Sequence, residues 1–172
     1  MSNFLNPQEI INKLELSKAM IAADFGCGSG GWVLPLARKL KEGKVYAIDV
    51  LSYSLSVLNQ KSIGEKLFNI KTISSNVEDK KGSTLASNSL DLVLMTNLLF
   101  QVKNRKDVLE EGKRVLKAEG KLLVVDWKKD ASVGPEERIS SQEVKEIAEE
   151  LKFKLETEFS SGNYHYCLLF SK

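Results

Sequence analysis

Short apolar runs alternate with helical patterns along most of the chain. Met20 to Phe25 is a mostly apolar run that stops at glycine, which predicts a first strand. Val33, Leu36, Ala37 and Leu40 then recur at helical spacing, with Pro35 in the first turn, where a missing N–H costs little. Lys44 to Asp49 predicts a second strand, and Leu51, Leu55 and Leu58 a helix after it. Ile70 to Ser74 is a weaker third strand. Leu90 to Met95 is a fourth, with the continuous apolar character of a strand buried on both faces. Asp107 is placed to cap a helix carrying Val108, Leu109, Val115 and Leu116, and Lys121 to Asp126 is a fifth strand. Ser140 with Glu143 reads as a capping box ahead of Val144, Ile147, Ala148 and Leu151.

The ending breaks this rhythm. Phe153 to Phe159 and Tyr164 to Ser171 both read as strands, yet only residues 160–163 separate them. So short a link allows an antiparallel hairpin but no parallel crossover. The expected fold is α/β: a doubly wound, Rossmann-like, seven-stranded sheet of five parallel β-α units closed by a C-terminal antiparallel hairpin. In such a sheet, ligands gather beyond the carboxyl ends of the parallel strands.

Composition narrows the picture without changing it. The 172 residues are 42% hydrophobic and 28% charged, as expected of one globular domain. A net charge of +2 gives no dense basic stripe for nucleic acid. Cys27, Cys167 and the single histidine, His165, make no metal-ligand cluster. No apolar run is long enough for a transmembrane span, and MSNFLNPQEI lacks the features of a signal peptide. The expectation is a reduced, cytoplasmic protein.

The candidate chemistry centres on ADFGCGSGG, Ala23 to Gly31. Gly26, Gly28, Gly30 and Gly31 satisfy both GxGxG, used for S-adenosylmethionine (SAM), and GxGxxG, used for dinucleotides. Either pattern uses glycine so that the backbone can turn and the ligand can approach it. Either also wants a carboxylate at the end of the second strand, which Asp49 supplies. Three features favour SAM over NAD. Asp24, in an otherwise apolar strand, suits a ligand with an amino group and a sulfonium, and would repel a pyrophosphate. The chain leaves no room for a separate substrate domain, and the terminal hairpin lies outside the dinucleotide plan.

With SNVED (Ser75 to Asp79), SLDLVLMTNLLFQV (Ser89 to Val102) and RVLKAEGKLLVVDW (Arg114 to Trp127) added, the chain resembles the class I SAM-dependent methyltransferases over nearly its full length. Within them it is similar to the small enzymes related to ubiquinone/menaquinone-biosynthesis methyltransferases. The resemblance implies that Asp24, Phe25, Gly26, Cys27, Gly28 and Gly30 shape the methionine side of the cofactor site. It implies that Asp49 and Val50 meet the ribose, Asn76 and Val77 the adenine, and Asn97 the methionine moiety or the acceptor.

Geometry proposes Trp127, Arg138, Tyr164 and His165 as an acceptor pocket, to which the resemblance adds Asn97, without singling out a catalytic residue. Leu98 and Leu99 stand where amino-methylating relatives carry two prolines, which disfavours adenine or glutamine nitrogen as the accepting atom. Phe100 and Gln101 replace a His-His pair common in the quinone group. A small-molecule acceptor is expected, with a protein acceptor, or cofactor binding without catalysis, as the alternatives. The N-terminal stretch holds one helical pattern, with Ile10, Ile11 and Leu14. Its brevity leaves either an open site or one covered by a second subunit in a homo-oligomer. The basic runs Lys103 to Lys106 and Lys128-Lys129 read as solvated surface.

Overall fold

The computed structural model describes residues 5–172. Residues 1–4, which begin the segment read above for a signal peptide, lie outside the described residues. The elements run in the order α1 (Pro7–Lys13), β1 (Ile21–Phe25), α2 (Val33–Lys39), β2 (Lys44–Asp49), α3 (Ser52–Gly64), β3 (Ile70–Ser74), β4 (Leu90–Thr96), α4 (Arg105–Val115), β5 (Leu116–Trp127), α5 (Ser141–Glu150), β6 (Lys154–Ser161) and β7 (His165–Ser171). They build one seven-stranded sheet of order β3-β2-β1-β4-β5-β7-β6. Strands β1 to β5 are mutually parallel, and β7 pairs antiparallel with both β5 and β6. The order reverses beside β1, so the glycine loop leaves the sheet at its switch point.

Alternation along the strands creates two cores. Ala23, Phe25, Val93, Met95, Val124 and Leu168 pack with Val108, Val144 and Ala148 of α4 and α5. On the other face, Ala22, Leu94, Val125 and Cys167 pack with Ile10 and Ile11 of α1, Leu36 of α2 and Leu58 of α3. Period-two alternation puts Asp24, Trp127 and His165 on this second face and Asp126 on the first. Each fully buried large apolar side chain contributes about 1.5–3 kcal/mol. Cys27 and Cys167 are both buried and free. No helix among the described residues is long and apolar enough to cross a membrane.

Some details depart from the expected pattern. Turns, rather than a helix, link β3 to β4. Helix α4 starts after Asn104, so Asp107 lies in its first turn instead of capping it. Leu116, expected on that helix, is the first residue of β5, because the helix runs into the strand with no breaking residue between them. Leu51 is exposed and precedes α3. The capping box at α5 is present as expected: Glu143 N–H donates to Ser140 Oγ at 3.1 Å, and Ser140 N–H to Glu143 Oε2 at 2.9 Å. Such a cap stabilises a helix by about 1 kcal/mol.

Candidate active site

The loop after β1 turns on three glycines in the left-handed region, Gly26 (φ 71°), Gly28 (φ 50°) and Gly30 (φ 90°). They do different work. A Cβ on Gly30 would stand 2.4 Å from Leu58 Cδ1, and one on Gly26 2.7 Å from Leu98 Cδ1, so both glycines permit close packing. A Cβ on Gly28 would meet nothing within 4 Å, so its open side faces the ligand space. The loop is anchored from the second strand. Ile48 O accepts the amides of Gly26 and Cys27, at 2.8 and 3.0 Å. Asp49 Oδ2 accepts Gly28 N–H at 2.8 Å, while its Oδ1 accepts Leu51 N–H at 2.9 Å.

This loop forms one wall of a cleft of about 330 Å³ at the carboxyl ends of β1, β2 and β3. Among the residues expected at the cofactor site, Gly26, Gly28, Asp49, Val50, Asn76 and Val77 line it together. Phe25, Cys27 and Gly30 stand behind it: Phe25 in the first core, Cys27 in the second, and Gly30 against Leu58. No described residue ahead of Gly26 contributes to the lining.

Sequence reasoning missed Leu51, Ser54, Glu78, Leu98, Gln101 and Val102 of the lining. Glu78 is the most informative of these. Its Oε1 accepts the amides of Lys103 and Asn104, at 2.8 and 2.9 Å, and so ties the cleft to the start of α4. Asn76 makes its own turn, with Oδ1 accepting Glu78 N–H at 3.0 Å.

Asp24 is completely buried, and neither of its carboxylate oxygens has a hydrogen-bond partner in the protein. Burial, then the neighbouring Asp49, raises its pKa well above the usual carboxylate range. An unpaired carboxyl in such a place is costly, and it marks where a cation would be stabilised.

The turn after β4 supplies the far wall. Asn97 adopts φ 50°, and its amide donates to Val125 O at 2.8 Å. Gln101 Nε2 donates to Asn97 O at 2.8 Å. This turn, which has no proline, is held from β5: the Asp126 carboxylate accepts Phe100 N–H at 3.3 Å and Trp127 N–H at 2.8 Å. Arg105 Nε adds a bond to Leu99 O at 3.0 Å. Burial raises the Asp126 pKa to about 6, against the opposing pull of these amides and of Arg105.

Of the expected acceptor residues, Trp127 and His165 are brought together. They are register partners in the β5–β7 ladder, with ring centroids 4.1 Å apart. His165 is 2% exposed, and neither ring nitrogen has a hydrogen-bond partner in the protein. Burial, and then Lys128, lowers its pKa. Tyr164 precedes it, with its carbonyl accepting Lys128 N–H at 2.8 Å. Asn97 Oδ1 is likewise buried without a partner.

Arg138 is placed otherwise than expected. Its guanidinium donates to four carbonyls of its own loop: Pro135, Lys129, Ala131 and Val133, at 2.8, 3.0, 2.8 and 3.2 Å. The loop so closed carries Gly134, where a Cβ would stand 2.5 Å from Trp127 Cε3. Arg138 therefore braces Trp127 from a distance and does not reach into a pocket.

A second cleft, of about 430 Å³, is lined by charged side chains between the β3–β4 link and α4. It lacks the glycine backbone and the unpaired buried carboxyl. The cleft at the glycine loop has the glycine backbone and the Asp49 carboxylate in its lining, and the unpaired carboxyl of Asp24 lies on the strand that leads into that loop. That set fits a nucleoside bearing a cationic amino-acid tail.

Comparison with known proteins agrees. The family model described as a methyltransferase domain matches residues 23–124, from β1 into β5. The chain belongs to this family, within the class I SAM-dependent methyltransferase superfamily. A demethylmenaquinone methyltransferase of Geobacillus stearothermophilus is 32% identical over 114 residues, 66% of this chain and 47% of the relative. A probable cobalt-precorrin-6B C(15)-methyltransferase (decarboxylating) of Methanocaldococcus jannaschii is 38% identical over 69 residues, 40% of this chain and 37% of the relative. This methyltransferase domain thus spans about half the length, or less, of the curated relatives it matches. The crystal structure of a SAM-dependent methyltransferase from Aquifex aeolicus superposes with a TM-score of 0.88 at 26% identity, covering 98% of this chain and 90% of that one.

Proposed function

We propose that this chain transfers a methyl group from SAM to a small-molecule acceptor. The observation that carries the reading is the convergence of Gly26, Gly28, Asp49, Asn76 and Val77 on one cleft, beside the unpaired carboxyl of Asp24. SAM supplies a methyl already activated on a sulfonium. The protein's work is then to align the acceptor and exclude water.

In this reading Asp24 receives the cofactor's amino group. Gly26 and Gly28 let the nucleoside approach the backbone, with Phe25, Cys27 and Gly30 holding the loop from behind. Asp49 takes the ribose hydroxyls through lone pairs left over from its two amide bonds, with Val50 beside it. The Asn76 side chain and the Val77 amide take the adenine.

The acceptor enters at the ends of β4, β5 and β7, beside Asn97, Trp127, Tyr164 and His165. Asn97 Oδ1 and the His165 ring nitrogens, unpartnered in the protein, hydrogen-bond it there. His165, uncharged at neutral pH, is the base available to an acceptor that must lose a proton. Arg138 acts only through Gly134 and Trp127. The acceptors named for the relatives, a demethylmenaquinone and a cobalt-precorrin, favour a small molecule over a protein. The two buried thiols suit a reducing, cytoplasmic setting.

The test is incubation with methyl-tritiated SAM and a cell extract, separated afterwards into metabolites, protein and RNA. Label is expected in the metabolite fraction. Label in protein or RNA would replace the acceptor class, and no label in any fraction would leave a cofactor-binding module without catalysis.

A further inference from the structure

Ser75, Asn76, Val77 and Glu78 line the cleft just past β3, the edge strand of the sheet, and no crossover helix follows to hold them. The link to β4 folds back on them instead. Ser75 Oγ donates to Gly82 O, Asp79 N–H to Asn76 O at 3.2 Å, and Gly82 N–H to Asp79 O at 2.8 Å. Gly82 packs so closely that a Cβ on it would stand 1.9 Å from Asn76 O. The Asn76 backbone therefore cannot move independently of Gly82.

The link does not take this shape by local preference. Lys81 (φ 56°) and Thr84 (φ 59°), on either side of Gly82 and Ser83, both sit in the left-handed region, which is costly above all for a β-branched residue. Such a shape persists only where the surroundings over-determine it. Here the restraint comes from α4. Glu111, 5% exposed, accepts Ser83 N–H at 3.0 Å and the Ser83 hydroxyl, both on Oε1. Arg114 holds that carboxylate in turn, with Nε to Oε2 at 2.7 Å and Nη2 to Oε1 at 2.8 Å. The same guanidinium reaches the link directly, donating to Leu85 O at 2.8 Å and to Ser87 Oγ at 3.0 Å. A pair withdrawn from water returns little net stability, whereas its planar fork fixes three partners at once. Glu78, through the amides of Lys103 and Asn104, ties the same segment to the start of α4.

We propose that Glu111 and Arg114 are positioning residues for base selection: from α4 they set the Gly82–Ser83 turn, and through it the pose of Asn76 and Val77 against the purine. Neither lines the ligand cleft. Both line the charged cleft beside it, with Glu78 as the shared wall. Selection works through the Asn76 amide, whose Oδ1 accepts Glu78 N–H at 3.0 Å. That bond fixes the amide's orientation and leaves the oxygen a second lone pair. A purine with an exocyclic amine donates to it, and one with a carbonyl in that place cannot. Letting the turn drift loses this bond but spares the contacts made from β1 and β2. The inference rests on the reading of the cleft as the SAM site, with Asn76 and Val77 at the adenine.

Calorimetric titration of the whole protein with two probes tests it. S-adenosylhomocysteine, the demethylated cofactor, carries the amine. S-inosylhomocysteine carries a carbonyl there, with the same ribose and amino-acid tail. The unaltered protein should prefer the first by at least about tenfold. Arg114→Met keeps the apolar stem and loses the fork. It should cut the preference to about threefold or less, with affinity for S-inosylhomocysteine held within about twofold. Arg114→Lys, unable to hold Glu111, Leu85 and Ser87 together, should fall between. A role confined to stability would lower the Tm and leave the preference alone. An unchanged preference in Arg114→Met, or equal weakening of both probes, overturns the inference and leaves the cofactor site intact. Equal affinity of the unaltered protein for the two probes overturns it too, since there is then no base selection to set. Failure of S-adenosylhomocysteine to bind the unaltered protein overturns the reading of the cleft itself. If Arg114→Met does not fold, Arg114→Lys and Ser83→Ala, which removes one hydroxyl from the clamp, decide by the same ratio.

Discussion

The imidazole of His165 lies 4.1 Å from the Trp127 ring, centroid to centroid, and both of its nitrogens are withdrawn from solvent without a protein partner. Burial stabilises the neutral ring, so its pKa falls below the usual histidine value. The unfolded chain then binds the proton more readily than the folded one. Stability from this group is therefore full above the unfolded pKa and is lost as pH falls through it. Because the chain has a single histidine, one labelled imidazole signal reports the site directly. The midpoint is expected below the usual histidine value by nitrogen-15 NMR; a midpoint at or above 6.5 would contradict the described burial.

Asp126 titrates with the opposite sign. Its folded pKa, about 6, lies above the ordinary carboxylate value, so the folded protein holds the proton more tightly than the unfolded chain. Its contribution to stability is fully present below the unfolded pKa and falls away as pH rises toward 6. The difference is on the order of 2–3 kcal/mol. Urea unfolding between pH 4.5 and 7.5 should show this slope in the wild type and lose it in Asp126→Asn. Equal slopes in the two proteins would count against the assignment.

Gly28 and Gly30 separate binding from folding. Gly30→Ala forces a Cβ to 2.4 Å from Leu58 Cδ1 at φ 90°, and should destabilise the protein by on the order of 2–3 kcal/mol. Gly28→Ala meets open space, and its backbone cost is about 1–2 kcal/mol. Its methyl group intrudes on the ligand instead. Affinity for S-adenosylhomocysteine should fall at least about tenfold, or 1.4 kcal/mol. Thermal unfolding and calorimetry on the same two variants check both halves.

The Arg138 brace should be felt at His165. Arg138→Lys cannot span four carbonyls with one ammonium, and Gly134→Ala drives a Cβ into Trp127 from a residue at φ 110°. Either change is expected to move the single imidazole signal, with a stability loss of about 1–3 kcal/mol. An unmoved signal in both variants would show that Trp127 keeps its place without the loop.

Much of the fold was legible because its central strands β1, β4 and β5 carry mostly apolar runs and its glycine loop is punctuated by φ requirements. The bounds read for the more polar β2 and β3 also match those observed. Around α4 they were less legible: Asn104 and Asp107 are both good cap residues, and Leu116 suits a helix as well as a strand. Within the site, Gly28, Asp49 and Asn76 could be read from local pattern. Glu78 could not, since its amide partners lie 25 and 26 residues away. Asp126 read only as a strand end, and its grip on Phe100 spans 26 residues. Arg138 read as an acceptor-pocket residue because its four carbonyl acceptors come together only once the loop has closed on itself.

The turn after β4 owes its shape largely to main-chain groups gripped from outside it, Phe100 N–H by Asp126 and Leu99 O by Arg105. Leu98, whose side chain makes no such bond, can thus be exchanged while the scaffold beneath it stays put, whereas Gln101 also ties the turn through Asn97 O. A turn stiffened by prolines uses up its own positions to stay rigid. This one leaves the Leu98 position open, so the wall of the cleft can change there by a single substitution without first rebuilding the backbone.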